Sequence, residues 1–150
     1  MKNWNAVVTP QDEVYHLGDF AFENDPVKVV ELLQRLNGRK YFIWGNHDKQ
    51  MRDQRIVNEF VWQKHYYELN FNKRLYVLSH YPMLTWNGAH RGSFMLHGHC
   101  HGSVDYLNKS TTRLDVGVDS HGLFPLSIED VDKIMAKKAY VKIDYHDRGG

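Results

Sequence analysis

The stretch Leu96-His97-Gly98-His99-Cys100-His101-Gly102 places three histidines and a cysteine in one short segment. The apolar residues 94–96 predict a buried strand that leads into this segment. In extended backbone, His99 and His101 leave the same side of the chain and reach one site, whereas Cys100 points the other way. We expect Cys100 to be a half-buried bystander and His97 to be a packing or supporting histidine.

Three further apolar runs end in polar residues. Residues 14–17 lead into Gly18-Asp19, residues 40–44 into Gly45-Asn46-His47-Asp48, and residues 75–78 into Ser79-His80. Gly18-Asp19 and Ser79-His80 alone are more typical of ordinary turns than of functional sites. Gly45-Asn46-His47-Asp48 is a stronger candidate, because a hairpin turn there would need a second strand promptly paired with the first, and the residues that follow predict a helix. Between the first two runs, residues 26–36 predict a helix, which makes a βαβ unit. Such sheets carry their chemistry at the carboxyl ends of the strands.

The remaining segments complete one domain spanning residues 1–150. We expect short helices at residues 4–8 and 51–60, a hairpin around Asn72-Lys73, a strand at residues 113–118 and a last helix that begins after Ser127. Residues 139–145 are expected to form a final strand, and residues 146–150 a flexible tail.

Composition and charge indicate which partners and which cellular compartment to expect. The 150 residues are 42% hydrophobic and carry 19 basic against 18 acidic side chains, a net charge of +1. Because basic and acidic side chains are nearly equal in number, there is no strong positive electrostatic field that would attract nucleic acid or a membrane surface. The single cysteine precludes an internal disulfide, and no signal peptide or apolar span is evident, so we expect a cytoplasmic protein without a membrane partner.

The strand-end residues together form a set of metal ligands. Carboxylate, amide and imidazole groups suit divalent manganese, iron or zinc. The residues concerned are Asp19, Asn46, His47, Asp48, His80, His99 and His101.

The motifs that contain these residues are Gly18-Asp19, Gly45-Asn46-His47-Asp48, His80 and Gly98-His99-Cys100-His101. Taken in chain order, they resemble those of the calcineurin-like metallophosphoesterases, whose signature is D-x-H, G-D, G-N-H-[DE], H and G-H-x-H. The likeness is greatest to small single-domain bacterial and phage members. It implies an α/β fold, a four-layer α-β-β-α sandwich of two mixed sheets, and metal-dependent hydrolysis of a phosphomonoester or phosphodiester.

The resemblance also implies roles for these residues. Asp19 would bridge two metal positions, and His101 would serve the first of them. The second position would be completed by Asn46, His80 and His99. His47 would contact the phosphate and protonate the leaving oxygen, with its ring held by Asp48.

One motif of the signature is missing, because residues 1–17 contain no Asp-x-His. We therefore expect a domain that is N-terminally incomplete and lacks its first strand. The first metal position would keep only Asp19 and His101 and would be weak or empty. The strand at residues 14–17 would have an exposed edge, which favours a homodimer.

Two alternatives stay open. The fold could act as a weakly active or inactive module that binds metal or protein, or the enzyme could be a nuclease. The absence of extended basic clusters leaves nucleic acid unsupported as a partner.

Overall fold

The computed structural model describes residues 2–20 and 23–138. Its helices are α1 Lys2–Val7, α2 Pro26–Arg35, α3 Gln54–Val57, α4 Asp105–Asn108 and α5 Ile128–Ala136. Its strands are β1 Glu13–His16, β2 Arg39–Ile43, β3 Gln63–Lys64, β4 Tyr66–Phe71, β5 Arg74–Ser79, β6 Phe94–His97 and β7 Arg113–Asp115. The strands form two sheets, so the predicted α/β class with two sheets is confirmed.

The first sheet has the order β1-β2-β3 and is parallel throughout the described residues. Helix α2 connects β1 to β2, as the sequence predicts. Asp25 caps its start by accepting a hydrogen bond from the Val27 backbone, and Pro26 occupies its first turn. The buried face of α2 presents Val29 and Leu33 to an apolar cluster on this sheet. The helix therefore covers one face of the sheet and fixes the direction of both strands.

The second sheet has the order β4-β5-β6-β7 and is mixed. Strands β4 and β5 are antiparallel and meet at Asn72-Lys73, where both residues have positive φ, 49° and 65°. Two positive φ values are what a tight hairpin turn of the primed type requires. Strands β5, β6 and β7 run parallel, so β5 and β6 both end on the same edge of the sheet.

The main core lies between the sheets. Leu17 and Ile43 from the first sheet pack with Tyr76, Leu78 and Leu96 from the second. Helix α5 adds Val131 and Met135 to this cluster, and its start is fixed by a capping box between Ser127 and Asp130. On the other face of the second sheet, Trp86 packs against Val77 and Met95. Burial on both faces of the second sheet fixes the strand ends that carry His80 and His99.

Some elements differ from the expectation in extent. The helix expected at residues 51–60 is divided into a 3₁₀ turn, Lys49–Arg52, and the short α3, because Asp53 caps a new start. The strand expected at residues 113–118 ends at Asp115 and is followed by a 3₁₀ turn, Val118–Ser120. The strand and tail expected at residues 139–150 lie outside the described residues.

Strand β1 lies at one edge of the first sheet among the described strands. The homodimer that such an edge would favour stays a prediction. No described helix has the length and apolar character needed to cross a bilayer.

Candidate metal centre

Four loops, two from each sheet, bring polar side chains to one point. Asp19 follows β1, Asn46 follows β2, His80 follows β5 and His99 follows β6. Asn46 Oδ1 lies 2.9 Å from His80 Nε2 and 3.1 Å from His99 Nδ1. His80 Nε2 lies 3.5 Å from Asp19 Oδ2, and the ligand atoms of Asp19, His80 and His99 all lie within 4.8 Å of one another. The four residues that the family resemblance assigns to one metal position are therefore neighbours.

The ring of His80 is oriented by the backbone of the other sheet. Its Nδ1 lies 2.6 Å from the carbonyl oxygen of Leu17, which can only accept a hydrogen bond. The proton is therefore on Nδ1, and in the neutral ring Nε2 carries a lone pair. In that form the lone pair faces the side-chain oxygens of Asn46 and Asp19, and the three acceptor atoms form a set that a cation can bind.

This donor set fits a divalent cation. Ligand atoms around a tetrahedral ion with metal–ligand distances of ~2.0–2.2 Å are separated by about 3.3–3.6 Å. Three of the separations, 2.9, 3.1 and 3.5 Å, are close to that spacing, and the ligand atoms of Asp19, His80 and His99 all lie within 4.8 Å of one another. A carboxylate, an amide oxygen and two imidazole nitrogens suit manganese, iron or zinc. Asp19, Asn46, His80 and His99 could therefore hold one metal ion.

Several of the predicted residues have strained backbones. Asp19, His99 and His101 have φ of 55°, 66° and 49°, values that non-glycine residues seldom adopt. Such conformations persist only where the surroundings enforce them, and they are concentrated at functional sites. Positive φ at His99 and His101 also means that the extended backbone expected there is wrong.

Gly45 allows the first two loops to approach each other. A Cβ atom at this position would lie 2.5 Å from Asp19 Oδ1 and 2.7 Å from Asp48 Oδ2. Both distances are shorter than non-bonded contacts permit. Glycine at position 45 is thus a requirement for placing Asp19 beside Asn46.

Asp48 ties the same two loops together. Its carboxylate is buried and accepts hydrogen bonds from the backbone N–H groups of Asp19 and Gly45, both at 2.6 Å, and of Phe20 at 3.0 Å. From the family resemblance, Asp48 was expected to hold the ring of His47. These contacts show that Asp48 holds the two loops together, because a charged acceptor shared by two loops fixes their separation.

His47 lies beside Asp19 with its side chain toward solvent. Its backbone N–H donates to Asp19 Oδ1 at 2.9 Å, while Asp19 Oδ2 faces His80.

His101 is not part of the group formed by Asp19, His80 and His99 among the described residues. Its Nδ1 is hydrogen-bonded to Asp119, a residue that no sequence motif had marked as part of the site. The sharp turn that separates His101 from His99 includes a hydrogen bond of 2.7 Å from the Cys100 N–H to the Gly98 carbonyl.

The other two residues of the histidine-rich segment are in positions that suit packing. His97 is fully buried, and its Nε2 lies 3.1 Å from the side-chain nitrogen of Asn108. Burial lowers the pKa of His97 and raises the pKa of the Cys100 thiol, so that a neutral imidazole and a neutral thiol are favoured. Cys100 is half-buried, as expected.

His16, the last residue of β1, supports the loop that carries Asp19. Its position inside a predicted strand did not indicate this role in the sequence. Its Nδ1 accepts a hydrogen bond of 3.2 Å from the N–H of Gly18, at the start of the Asp19 loop. The ring packs against Phe20 and Phe42. Burial lowers the pKa of His16 to about 4, so the ring is neutral at pH 7 and remains an acceptor.

The chain is similar to proteins that are already known. A family model described as "Calcineurin-like phosphoesterase" matches residues 2–146. The uncharacterized protein MJ1445 of Methanocaldococcus jannaschii is 31% identical over 147 residues, which cover 95% of this chain and 76% of that protein. The crystal structure of AQ665 from Aquifex aeolicus, described as a protein of unknown function, is similar with a TM-score of 0.64 and 25% identity. That likeness covers 89% of this chain and 81% of the other.

Replacing Asp48 should destabilise the protein. In Asp48→Asn the charged acceptor is lost and an amide faces backbone donors, so we expect the free energy of unfolding to fall by roughly 2–4 kcal/mol. Urea denaturation in EDTA measures this change. Glu31→Gln, which removes a charge from the exposed side of α2, should change stability by less than ~0.5 kcal/mol. Equal stabilities of the two variants would contradict the role given to Asp48.

The lowered pKa of His16 should make stability depend on pH. Its pKa is 6.5 in an exposed chain and about 4 in the folded protein, so between these values the unfolded state binds the extra proton. The free energy of unfolding should fall as the pH is lowered from 6.5 to 4, by about 3 kcal/mol in total from this group.

His16→Asn keeps an acceptor for Gly18 and should reduce this dependence. His65→Asn, at an exposed histidine, should keep the wild-type pH dependence. Urea denaturation at a series of pH values in EDTA compares the three proteins. Parallel curves for the wild type and His16→Asn would refute the assignment.

Proposed function

The chain belongs to the calcineurin-like phosphoesterase family, and on that premise we propose that it hydrolyses a phosphomonoester or phosphodiester in a metal-dependent reaction. The observation that carries the proposal is the convergence of Asp19, Asn46, His80 and His99. Their donor atoms meet at the carboxyl ends of strands from both sheets. Ligand sites of α/β sheets occur at such strand ends.

In this proposal, Asp19, Asn46, His80 and His99 hold one divalent ion, either manganese, iron or zinc. When bound, such an ion supplies a nucleophile at neutral pH and stabilises charge on the phosphoryl oxygens. Leu17 keeps the Nδ1 proton of His80 in place, so that Nε2 remains a ligand atom. Asp48 and His16 hold the Asp19 loop in its strained conformation.

His47 is the proposed general acid. Its backbone N–H donates to Asp19 Oδ1 and its side chain is exposed, which would allow the ring to reach a phosphoester bound at the centre. A protonated imidazole there would donate its proton to the departing ester oxygen. His101 and Asp19 would serve another metal position, which has fewer ligands and should bind its ion more weakly.

A second candidate function is a module that binds one metal ion and has little or no hydrolytic activity. The separation of His101 from the group of Asp19, His80 and His99 favours this alternative. Metal content and turnover of an aryl phosphodiester, measured on the same sample, distinguish the two. Stoichiometric metal without turnover would support the binding module and refute the enzyme.

Metal binding should raise the melting temperature. At a metal concentration about 100-fold above Kd, binding adds about 2.7 kcal/mol to stability, which corresponds to roughly 5–10 °C for a domain of this size. Thermal unfolding with and without Mn²⁺ or Zn²⁺ after EDTA treatment measures the shift. His99→Ala should abolish it, whereas His90→Ala, at a histidine before β6, should retain it. An unchanged shift in His99→Ala would exclude the proposed ligand set.

The role of His47 can be tested with two leaving groups. His47→Ala should keep its metal and hydrolyse a phenyl ester about 100-fold more slowly than the wild type. A nitrophenyl ester, whose leaving group needs little protonation, should be slowed much less. Steady-state rates together with metal analysis separate the possibilities. An equal loss on both esters would argue against a general acid, and loss of metal would make His47 a ligand.

A further inference from the structure

The loop that carries His101 is fastened to the next loop of the second sheet by a buried carboxylate. Asp115 Oδ2 accepts a hydrogen bond of 3.0 Å from the Gly102 N–H, and Asp115 Oδ1 accepts one of 2.9 Å from the Gly117 N–H. Asp115 is only 1% exposed, so these bonds are shielded from water. The loops after β6 and β7 are thus held at a fixed separation.

This separation brings His101 and Asp119 together. His101 precedes Gly102 directly, and Asp119 follows Gly117 by two positions in the 3₁₀ turn Val118–Ser120. The His101 Nδ1 atom is hydrogen-bonded to Asp119 Oδ2. The pair thus depends on the same buried acceptor that fixes the two loops.

Stability does not explain the pair. The side chains of His101 and Asp119 are 67% and 52% exposed, and exposed ion pairs contribute little to folding. In addition, His101 is held at a φ of 49°, which is unfavourable for a non-glycine residue. An arrangement that is strained and gives little stability calls for a functional explanation.

We infer that Asp119 is a positioning residue that fixes His101 as the Nδ1–H tautomer and leaves the Nε2 lone pair available as a metal ligand. The carboxylate accepts a hydrogen bond from Nδ1–H, so Nε2 is left as the nitrogen that can bind a metal. The tautomer follows from the geometry of the pair alone, whereas its use for a metal rests on the proposed function.

The tautomer can be read directly in the metal-free protein. A long-range ¹H–¹⁵N spectrum of the imidazoles in EDTA at alkaline pH should show His101 with a proton on Nδ1. Asp119→Ala should move the proton largely to Nε2, and Asp119→Asn, which retains an acceptor oxygen, should partly restore the original form. Glu129→Ala removes the same charge from an exposed position on α5 and should leave the His101 signals unchanged. A wild-type proton on Nε2, or an unchanged tautomer in Asp119→Ala, would overturn the inference.

A Zn²⁺ titration followed by the same ring signals tests the link to metal binding. The signals of His80 and His99 should respond first, and those of His101 at higher Zn²⁺ concentration. Asp119→Ala should raise the midpoint for His101 by about tenfold to a hundredfold, with no change for His80 and His99. An equal rise for all three histidines would overturn the inference.

The two proposals fail in different ways. If His101 never responds to Zn²⁺ while its tautomer still depends on Asp119, the metal position assigned to His101 is refuted and the positioning of its ring stands. If His101 responds to Zn²⁺ but Asp119→Ala alters neither its tautomer nor its midpoint, the proposed function stands and Asp119 has no positioning role.

Discussion

The three hydrogen bonds accepted by the buried carboxylate of Asp48 are the constraint on which the centre depends. They join the N–H groups of Asp19 and Phe20, in one loop, to that of Gly45, in the next. Backbone donors in irregular loops have no ladder partner and must be satisfied in another way when they are buried. A single charged acceptor does this here, and it fixes how far Asp19 lies from Asn46.

The second sheet repeats this arrangement with Asp115, which joins Gly102 to Gly117. Each carboxylate lies next to a strand end and connects two consecutive loops of its own sheet. Between the sheets, the contact of Leu17 with the His80 ring aligns one set of loops with the other. Asp48 and the Leu17 carbonyl thus join the ends of β1, β2 and β5, while Asp115 holds the loop after β6 against the loop after β7.

Much of this centre could be predicted because apolar runs and the polar residues at their ends are visible in the sequence. The apolar runs before Asp19, Asn46, His80 and His99 indicated buried strands, and parallel strands bring their carboxyl ends together. The relation of His99 to His101 was not predictable in this way, since positive φ at non-glycine residues leaves no compositional mark. The contacts of Asp48 were missed for a related reason: they go to backbone N–H groups, which every residue has.

The division of the ligands between the sheets has a consequence for folding cooperativity. Asp19 and Asn46 belong to loops of the first sheet, and His80 and His99 to loops of the second. An ion held by all four would cross-link the two halves of the sandwich, so part of its binding free energy would oppose their separation. Amide hydrogens of β2 and β5 would then exchange with solvent through one shared opening event rather than two independent ones.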